Sequence, residues 1–184
     1  MWAQIDASTQ RVVELTELDP KGRFHPSLRW LAVPNYLTRW ANSSYVERGG
    51  VIVPASLDAL RDQLKAEVTA LRWTKEAGGI VTADGLQILT ETSDQDRIDT
   101  ALSNMERYGL TSVDFKAASG FVTVTYDQLK AIGRLIVLHV QGCFTAERDH
   151  YQALDKLDSI EAICAYDYTQ GWPVSAKGST AAQA

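Results

Sequence analysis

The longest regular pattern of apolar positions runs from Tyr126 to about Leu154 and predicts one long helix. Apolar residues recur there at spacings of three and four, the period of a buried helix face: Leu129, Ile132, Ile136, Val140 and Cys143. A second stripe follows a neighbouring face: Ala131, Leu135, Leu138, Gly142 and Ala146. The helix would be roughly 43 Å long at 1.5 Å per residue. Because both faces are apolar, we expect the preceding β elements to cover one and another subunit to cover the other.

Three shorter helices are predicted from single stripes and from capping residues. The first follows Ser56 to about Trp73, with apolar residues at helical spacing. The second covers Asp94 to Tyr108 and is closed near Gly109, and a short one ends at about Tyr166. The N-caps predicted for the four helices, in chain order, are Ser56, Ser93, Thr125 and Ser159.

Strands are predicted where short apolar or alternating runs are bounded by turn residues. Residues 2 to 15 indicate a hairpin with strands Trp2 to Ile5 and Arg11 to Leu15, and further extended pieces are Ser27 to Val33 and Val51 to Val53. Two more hairpins follow: residues 80 to 89 with Asp84-Gly85 at the turn, and Val113 to Lys116 with Phe121 to Val124.

These elements predict an α+β fold with a small N-terminal β unit, a connecting helix, and two β-hairpins packed with a long helix. We divide the chain into a β docking unit (1–53), the connecting helix (54–73), an α+β domain (70–154), and a short helix with a polar tail (155–184). The tail is rich in small and polar residues, a composition typical of flexible segments.

The composition of the chain limits the classes of partner that we expect it to bind. The chain has 184 residues with 45% hydrophobic content, which is enough for a packed core. A net charge of −5 and a pI near 5.2 argue against nucleic acid or an anionic membrane as the main partner. No apolar run is long enough to span a membrane, and the start lacks the pattern of a secretory signal. Two cysteines without a CxxC motif fit synthesis in the cytoplasm.

Candidate chemistry is sparse. His139 and Cys143 lie four residues apart on one helix face and could form half of a metal site, but no second ligand pair accompanies them. A buried cysteine beside a hydrogen-bonded histidine is the favoured interpretation. No phosphate-binding loop is present. We therefore expect a protein without catalytic residues, metal or cofactor, and we keep a small enzyme with an unrecognised site as an alternative class.

Aromatic residues cluster in the N-terminal β unit, and four of them are candidates for an interface: Trp30, Tyr36, Trp40 and Tyr45. They favour either a small aromatic core or an aromatic docking face, and both interpretations stay open at this point. Leu135 and Leu138, in the second stripe of the long helix, are the candidates for self-contact.

Several separated segments resemble, in the same order, a phage domain of unknown function. They are Leu71-Arg72-Trp73, Glu76-Ala77-Gly78-Gly79-Ile80, Gly85 with Ile88, Val113-Asp114-Phe115-Lys116, Gly120-Phe121-Val122-Thr123, and His139-Val140-Gln141-Gly142-Cys143-Phe144 with Glu147. The resemblance covers about residues 70 to 150. The family occurs in tail-fibre and tail-assembly proteins of bacteriophages and prophages.

The resemblance implies a structural component of a bacteriophage tail, in a fibre or baseplate, that docks on other tail proteins and oligomerises. It implies a homo-oligomer, with a trimer as the preferred stoichiometry, that resides in the virion tail after synthesis in the bacterial host cytoplasm. The alternative is a tail-fibre assembly chaperone absent from the mature particle. No catalytic residue is implied.

Overall fold

The computed structural model describes residues 1–35, 37, 45–54, 56–117 and 120–176. The described residues form an N-terminal antiparallel sheet, helices, β-hairpins and one long helix, so the predicted α+β fold class is confirmed. The nine strands of the described residues are β1 Trp2–Ile5, β2 Val12–Thr16, β3 Arg29–Ala32, β4 Tyr45–Arg48, β5 Val51–Pro54, β6 Ile80–Val81, β7 Gln87–Ile88, β8 Ser112–Ala117 and β9 Gly120–Thr125. The four helices of the described residues are α1 Leu57–Glu76, α2 Thr92–Tyr108, α3 Tyr126–Asp155 and α4 Ile160–Ala165.

The chain forms two compact units. Unit 1 comprises Met1–Ala66 with Gln152–Asp167, and unit 2 comprises Glu67–Tyr151 with Tyr168–Ala184. The finer division into four segments, made above from sequence, stays a prediction. None of the described helices combines the length and the apolar composition that crossing a bilayer requires.

Unit 1 contains an antiparallel sheet in the order β2-β1-β3 and a hairpin of β4 with β5. The predicted first hairpin is confirmed, with a bulge between Gln4 and Ile5. Strand β4 was not predicted, and an isolated bridge from Arg11 to Val46 joins it to the start of β2. One face of the sheet is buried, since Ala3 and Ile5 are 0% and 3% exposed.

Unit 2 is built from the hairpins β6–β7 and β8–β9, helix α2 and most of α3. Its core takes side chains from each of these elements: Ile80, Ile88, Ile98, Met105, Ala117, Val124, Leu129, Ile132, Ile136 and Val140. The first stripe predicted for the long helix is therefore buried.

Helix α3 begins with a capping box, because Gln128 accepts the Thr125 backbone N–H at 2.9 Å and donates its own N–H to the Thr125 hydroxyl.

The capping predictions hold for three helices. Ser56 accepts the N–H of Ala59 at 3.0 Å and Ser159 that of Ala162 at 3.2 Å. The Ser93 prediction is wrong, because α2 begins at Thr92, two residues before the predicted Asp94, and its N-cap, Glu91, makes no side-chain capping bond. Gly109 ends α2 with a φ of 66°, as its position predicts. Residues 177–184 of the predicted polar tail lie outside the described residues.

Candidate functional site

Three of the segments singled out in the sequence meet at one buried arginine in unit 2. Arg72 of α1 is 4% exposed and pairs with Glu76 one helical turn later. Its Nε lies 2.8 Å from Oε2 of Glu147 on α3. A buried arginine between two carboxylates ties the two helices together, and removing any partner would leave an uncompensated charge.

Neighbouring groups complete this cluster, which we call the Arg72 cluster: Thr69, Arg72, Glu76, Glu147 and Tyr151. The Thr69 hydroxyl donates to Oε1 of Glu147 at 2.5 Å and lies 2.6 Å from the Tyr151 hydroxyl. Hydrogen bonds of this kind hold the carboxylate in place and offset its desolvation.

Two aromatic rings flank the Arg72 guanidinium. Its Cζ atom lies 4.2 Å from the ring centroid of Trp73 and 4.5 Å from that of Phe144. Both rings are partly open to solvent, with Trp73 54% and Phe144 46% exposed. Cation–π contacts with the guanidinium stabilise both rings in these partly exposed positions.

His139 and Cys143 lie beside this cluster. His139 Nε2 is 3.1 Å from the carbonyl oxygen of Lys75, which places an N–H donor there, and 3.9 Å from Sγ of Cys143. Cys143 is fully buried. Burial, reinforced by the negative charge of Glu76, raises the pKa of Cys143 to about 11. The group is therefore a neutral thiol at physiological pH and not the thiolate that acts as a nucleophile.

Close backbone packing surrounds the same region. A Cβ on Gly78 would lie 2.7 Å from Cβ of Ser175, and one on Gly79 would lie 2.8 Å from the carbonyl oxygen of Ile88. Gly79 has a φ of 78°, which favours glycine. The N–H of Ala176 donates to the Gly79 carbonyl at 2.9 Å. The C-terminal segment thus packs on the two glycines that end α1.

Among the described residues, no group of three or more His, Cys, Asp and Glu side chains is arranged to hold a metal ion. The His139–Cys143 pair does meet in space, but the structure assigns it no third ligand in the part of the chain it describes. Its geometry is that of a packed thiol beside a hydrogen-bonded ring.

The second stripe of α3 is covered at its C-terminal end, where Ala146 is 7% exposed and Pro173 packs on Gly142. Its two leucines are covered only in part, since Leu135 is 43% and Leu138 58% exposed. Leu135 separates two apolar hollows of about 290 and 200 Å³. The first is lined by Ile80, Val81, His139 and residues 174–176, and the second by residues of β9, α3 and the β6–β7 turn. The described part of the chain therefore covers these leucines only in part, and cover by another subunit stays a prediction.

The predicted aromatic interface residues have different environments. Trp30 is half-buried on β3, and its ring centroid lies 4.6 Å from that of Phe24. Tyr45 is 1% exposed, so its side chain belongs to the core of unit 1 and not to a surface. Tyr36 and Trp40 lie outside the described residues. Of these four residues the structure describes only Trp30 and Tyr45, so an aromatic interface formed by the four stays a prediction.

Sequence reasoning missed the Arg72 cluster. A usable signal was present, because Arg72 and Glu76 continue at steps of four the buried row of α1, and charged residues on a buried face need partners. Nothing in the sequence pattern indicated that Glu147 is the second partner.

A model of a protein family matches residues 59–170 of the chain, a range that includes the whole Arg72 cluster. Comparison with curated proteins finds no match, and comparison with solved structures finds none. Because the family match covers more than half of the chain, the protein belongs to the family described as a domain of unknown function (DUF4376).

Proposed function

We propose that this protein is a structural component of a bacteriophage tail, in a fibre or baseplate, that self-associates and docks on neighbouring tail proteins without catalysis. The exposed stripe at Leu135 and Leu138 is the observation that carries the proposal. Large apolar side chains placed side by side on a helix that already buries its other face are typical of an interface. The ordered resemblance of the segments around Arg72, Gly79 and Gly142 to a phage tail domain supports the tail as the location.

The buried chemistry fits a structural role. Arg72 is paired with two carboxylates, and Cys143 is protonated and buried. Groups in such environments fix the relative position of α1 and α3 within unit 2. A rigid domain with an exposed apolar stripe is suited to repeated contacts in an assembly, where permanent interfaces are larger and more apolar than transient ones.

The second candidate is a tail-fibre assembly chaperone that leaves before the particle is complete. A chaperone must release its client, so its contact surface has to tolerate water between cycles. The exposed fractions of Leu135 and Leu138 are compatible with that behaviour as well. We favour the structural role because permanent interfaces are more apolar than transient ones.

Immunogold electron microscopy of particles from the phage or prophage that encodes the chain tests the proposal. We expect label on the tail, at a defined distance from the head. Particles without label, combined with misfolded fibres when the gene is deleted, would support the chaperone and overturn the structural role.

A further inference from the structure

The outward face of the unit 1 sheet carries two tryptophans. In the antiparallel register, Trp2 pairs with Ala32 and Gln4 with Trp30. Trp2 and Trp30 are therefore diagonal neighbours on one face, close enough for aromatic side chains to share a surface. The opposite face holds the buried residues Ala3 and Ile5, so the tryptophans are not required for that core.

A loop crosses this outward face without filling it. The segment from Asp19 to Leu28 and the two tryptophans enclose an open pocket of about 470 Å³, which we call the aromatic pocket. Phe24 from the loop packs on Trp30, with the ring planes tilted by 32°. The volume falls within the range of about 300–1,000 Å³ that is typical of small-ligand sites.

Hydrogen-bond acceptors and donors both lie at the rim of the aromatic pocket. Asp19 supplies a carboxylate that is held in place, because its Oδ1 accepts the Lys21 N–H at 2.9 Å. Lys21 supplies an ammonium donor. His25 supplies a second donor: its Nδ1 accepts the backbone N–H of Ser27 at 3.3 Å, so the proton of the neutral ring is on Nε2. One acceptor and two donors around an aromatic floor suit a ligand whose groups both donate and accept.

We propose that the aromatic pocket binds a neutral saccharide. A sugar ring presents an apolar face that stacks on Trp2 and Trp30, and its hydroxyls can bond Asp19, Lys21 and His25 at once. The rim charges of Asp19 and Lys21 cancel, which favours a neutral ligand over an acidic one.

A proline-rich peptide is the competing occupant, since aromatic grooves also bind polyproline helices. Such a peptide offers carbonyl acceptors and few N–H donors, so the Asp19 carboxylate would remain unmatched. This mismatch at Asp19 favours the saccharide. The inference does not depend on the tail assignment.

The test uses the full-length protein on an array of neutral oligosaccharides, followed by calorimetric titration of maltotriose, cellotriose, tri-N-acetylchitotriose and the best array glycan. We expect saturable binding of at least one of them. Lys21→Ala and His25→Ala each change an exposed loop side chain and should weaken binding by about tenfold, while circular dichroism stays unchanged. Trp2→Ala should abolish it. Trp73→Phe is the control, because Trp73 is an exposed tryptophan outside the pocket, and it should bind like the wild type.

Absence of saturable binding to every glycan tested would overturn the proposal. So would normal affinity in both Lys21→Ala and His25→Ala. Saturable binding of a proline decapeptide, with no saccharide competing for it, would assign the pocket to a peptide instead.

Discussion

Pro173 packs directly against Gly142 of α3, at a point where a Cβ on residue 142 would lie 2.9 Å from Cγ of the proline. A second helical glycine, Gly133, has room: its Cβ would lie 3.5 Å from side-chain atoms of Ile98 and Leu102. The same helix therefore contains one glycine that its packing requires and one that it does not.

Replacing Gly142 by alanine should destabilise the protein by about 1–3 kcal/mol, because overpacking against a rigid ring outweighs the better helix propensity of alanine. Gly133→Ala should be neutral or stabilise by up to about 1 kcal/mol. Denaturant unfolding followed by circular dichroism measures both. Adding Pro173→Ala to the Gly142→Ala protein should restore part of the loss, and equal effects of the two single alanine variants would contradict the packing account.

Arg72→Leu should cost about 3–5 kcal/mol in the free energy of unfolding, because two buried carboxylates lose their counter-charge. Arg97 is the matched control, since it pairs with Asp94 at 3.4 Å but its side chain is 72% exposed. Arg97→Leu should change the free energy of unfolding by less than about 1 kcal/mol. If chemical denaturation gave similar values for the two variants, Arg72 would not hold the cluster together.

The thiol of Cys143 should resist modification in the folded protein. In a Cys164→Ser background, we expect Ellman's reagent to react with Cys143 only after denaturant is added, because the group is buried and protonated. Rapid labelling under native conditions, at a rate independent of denaturant, would show that the site opens or that the thiol is activated.

The raised pKa of Cys143 also has a consequence for stability. An unfolded chain releases this proton near the ordinary pKa of 9.0, whereas the folded protein holds it until about pH 11. The folded state therefore binds more protons between these values, and its stability falls as pH rises through that window. Thermal unfolding between pH 8 and 11 should show a smaller decline in Cys143→Ala than in the wild type; identical profiles would remove Cys143 as a cause.

Self-association should depend on Leu135 and Leu138. We expect the wild type to sediment as an oligomer at tens of micromolar, with three copies as the preferred number, and the double variant Leu135→Lys, Leu138→Lys to sediment as a folded monomer. Val137→Lys is the control, because Val137 is 57% exposed on another flank of the same helix. A monomeric wild type would contradict this interface, as would a double variant that remains oligomeric.

The sequence predicted those features that depend on local pattern. The spacing of Leu129, Ile132 and Ile136 identified the buried face of α3, and Asp84-Gly85 identified a hairpin turn, because periodicity and turn chemistry are local properties. Whether a stripe is buried, however, depends on which other elements of the chain pack on it, and the local pattern does not show that. Leu135 and Leu138 share the same helical period, yet both are exposed, since the described elements of the chain cover them only in part.

Contacts between segments that are distant along the chain could not be predicted from a single sequence. Arg72 and Glu147 belong to different helices, and neither residue alone signals the other. Strand β4 was missed because two of its four residues, Glu47 and Arg48, are charged, so the segment lacks the apolar run by which β5 was predicted. Ser93 has the right residue type for an N-cap, but the backbone enters the helix two positions earlier than predicted, at Thr92 instead of Asp94.

Quantitative mass spectrometry of gradient-purified particles tests the central proposal most directly. A structural tail component should be present at a fixed small multiple of the tail symmetry, in a constant ratio to known tail proteins across preparations. Absence of the protein from such particles, when it is abundant in the infected-cell lysate, would contradict the proposal.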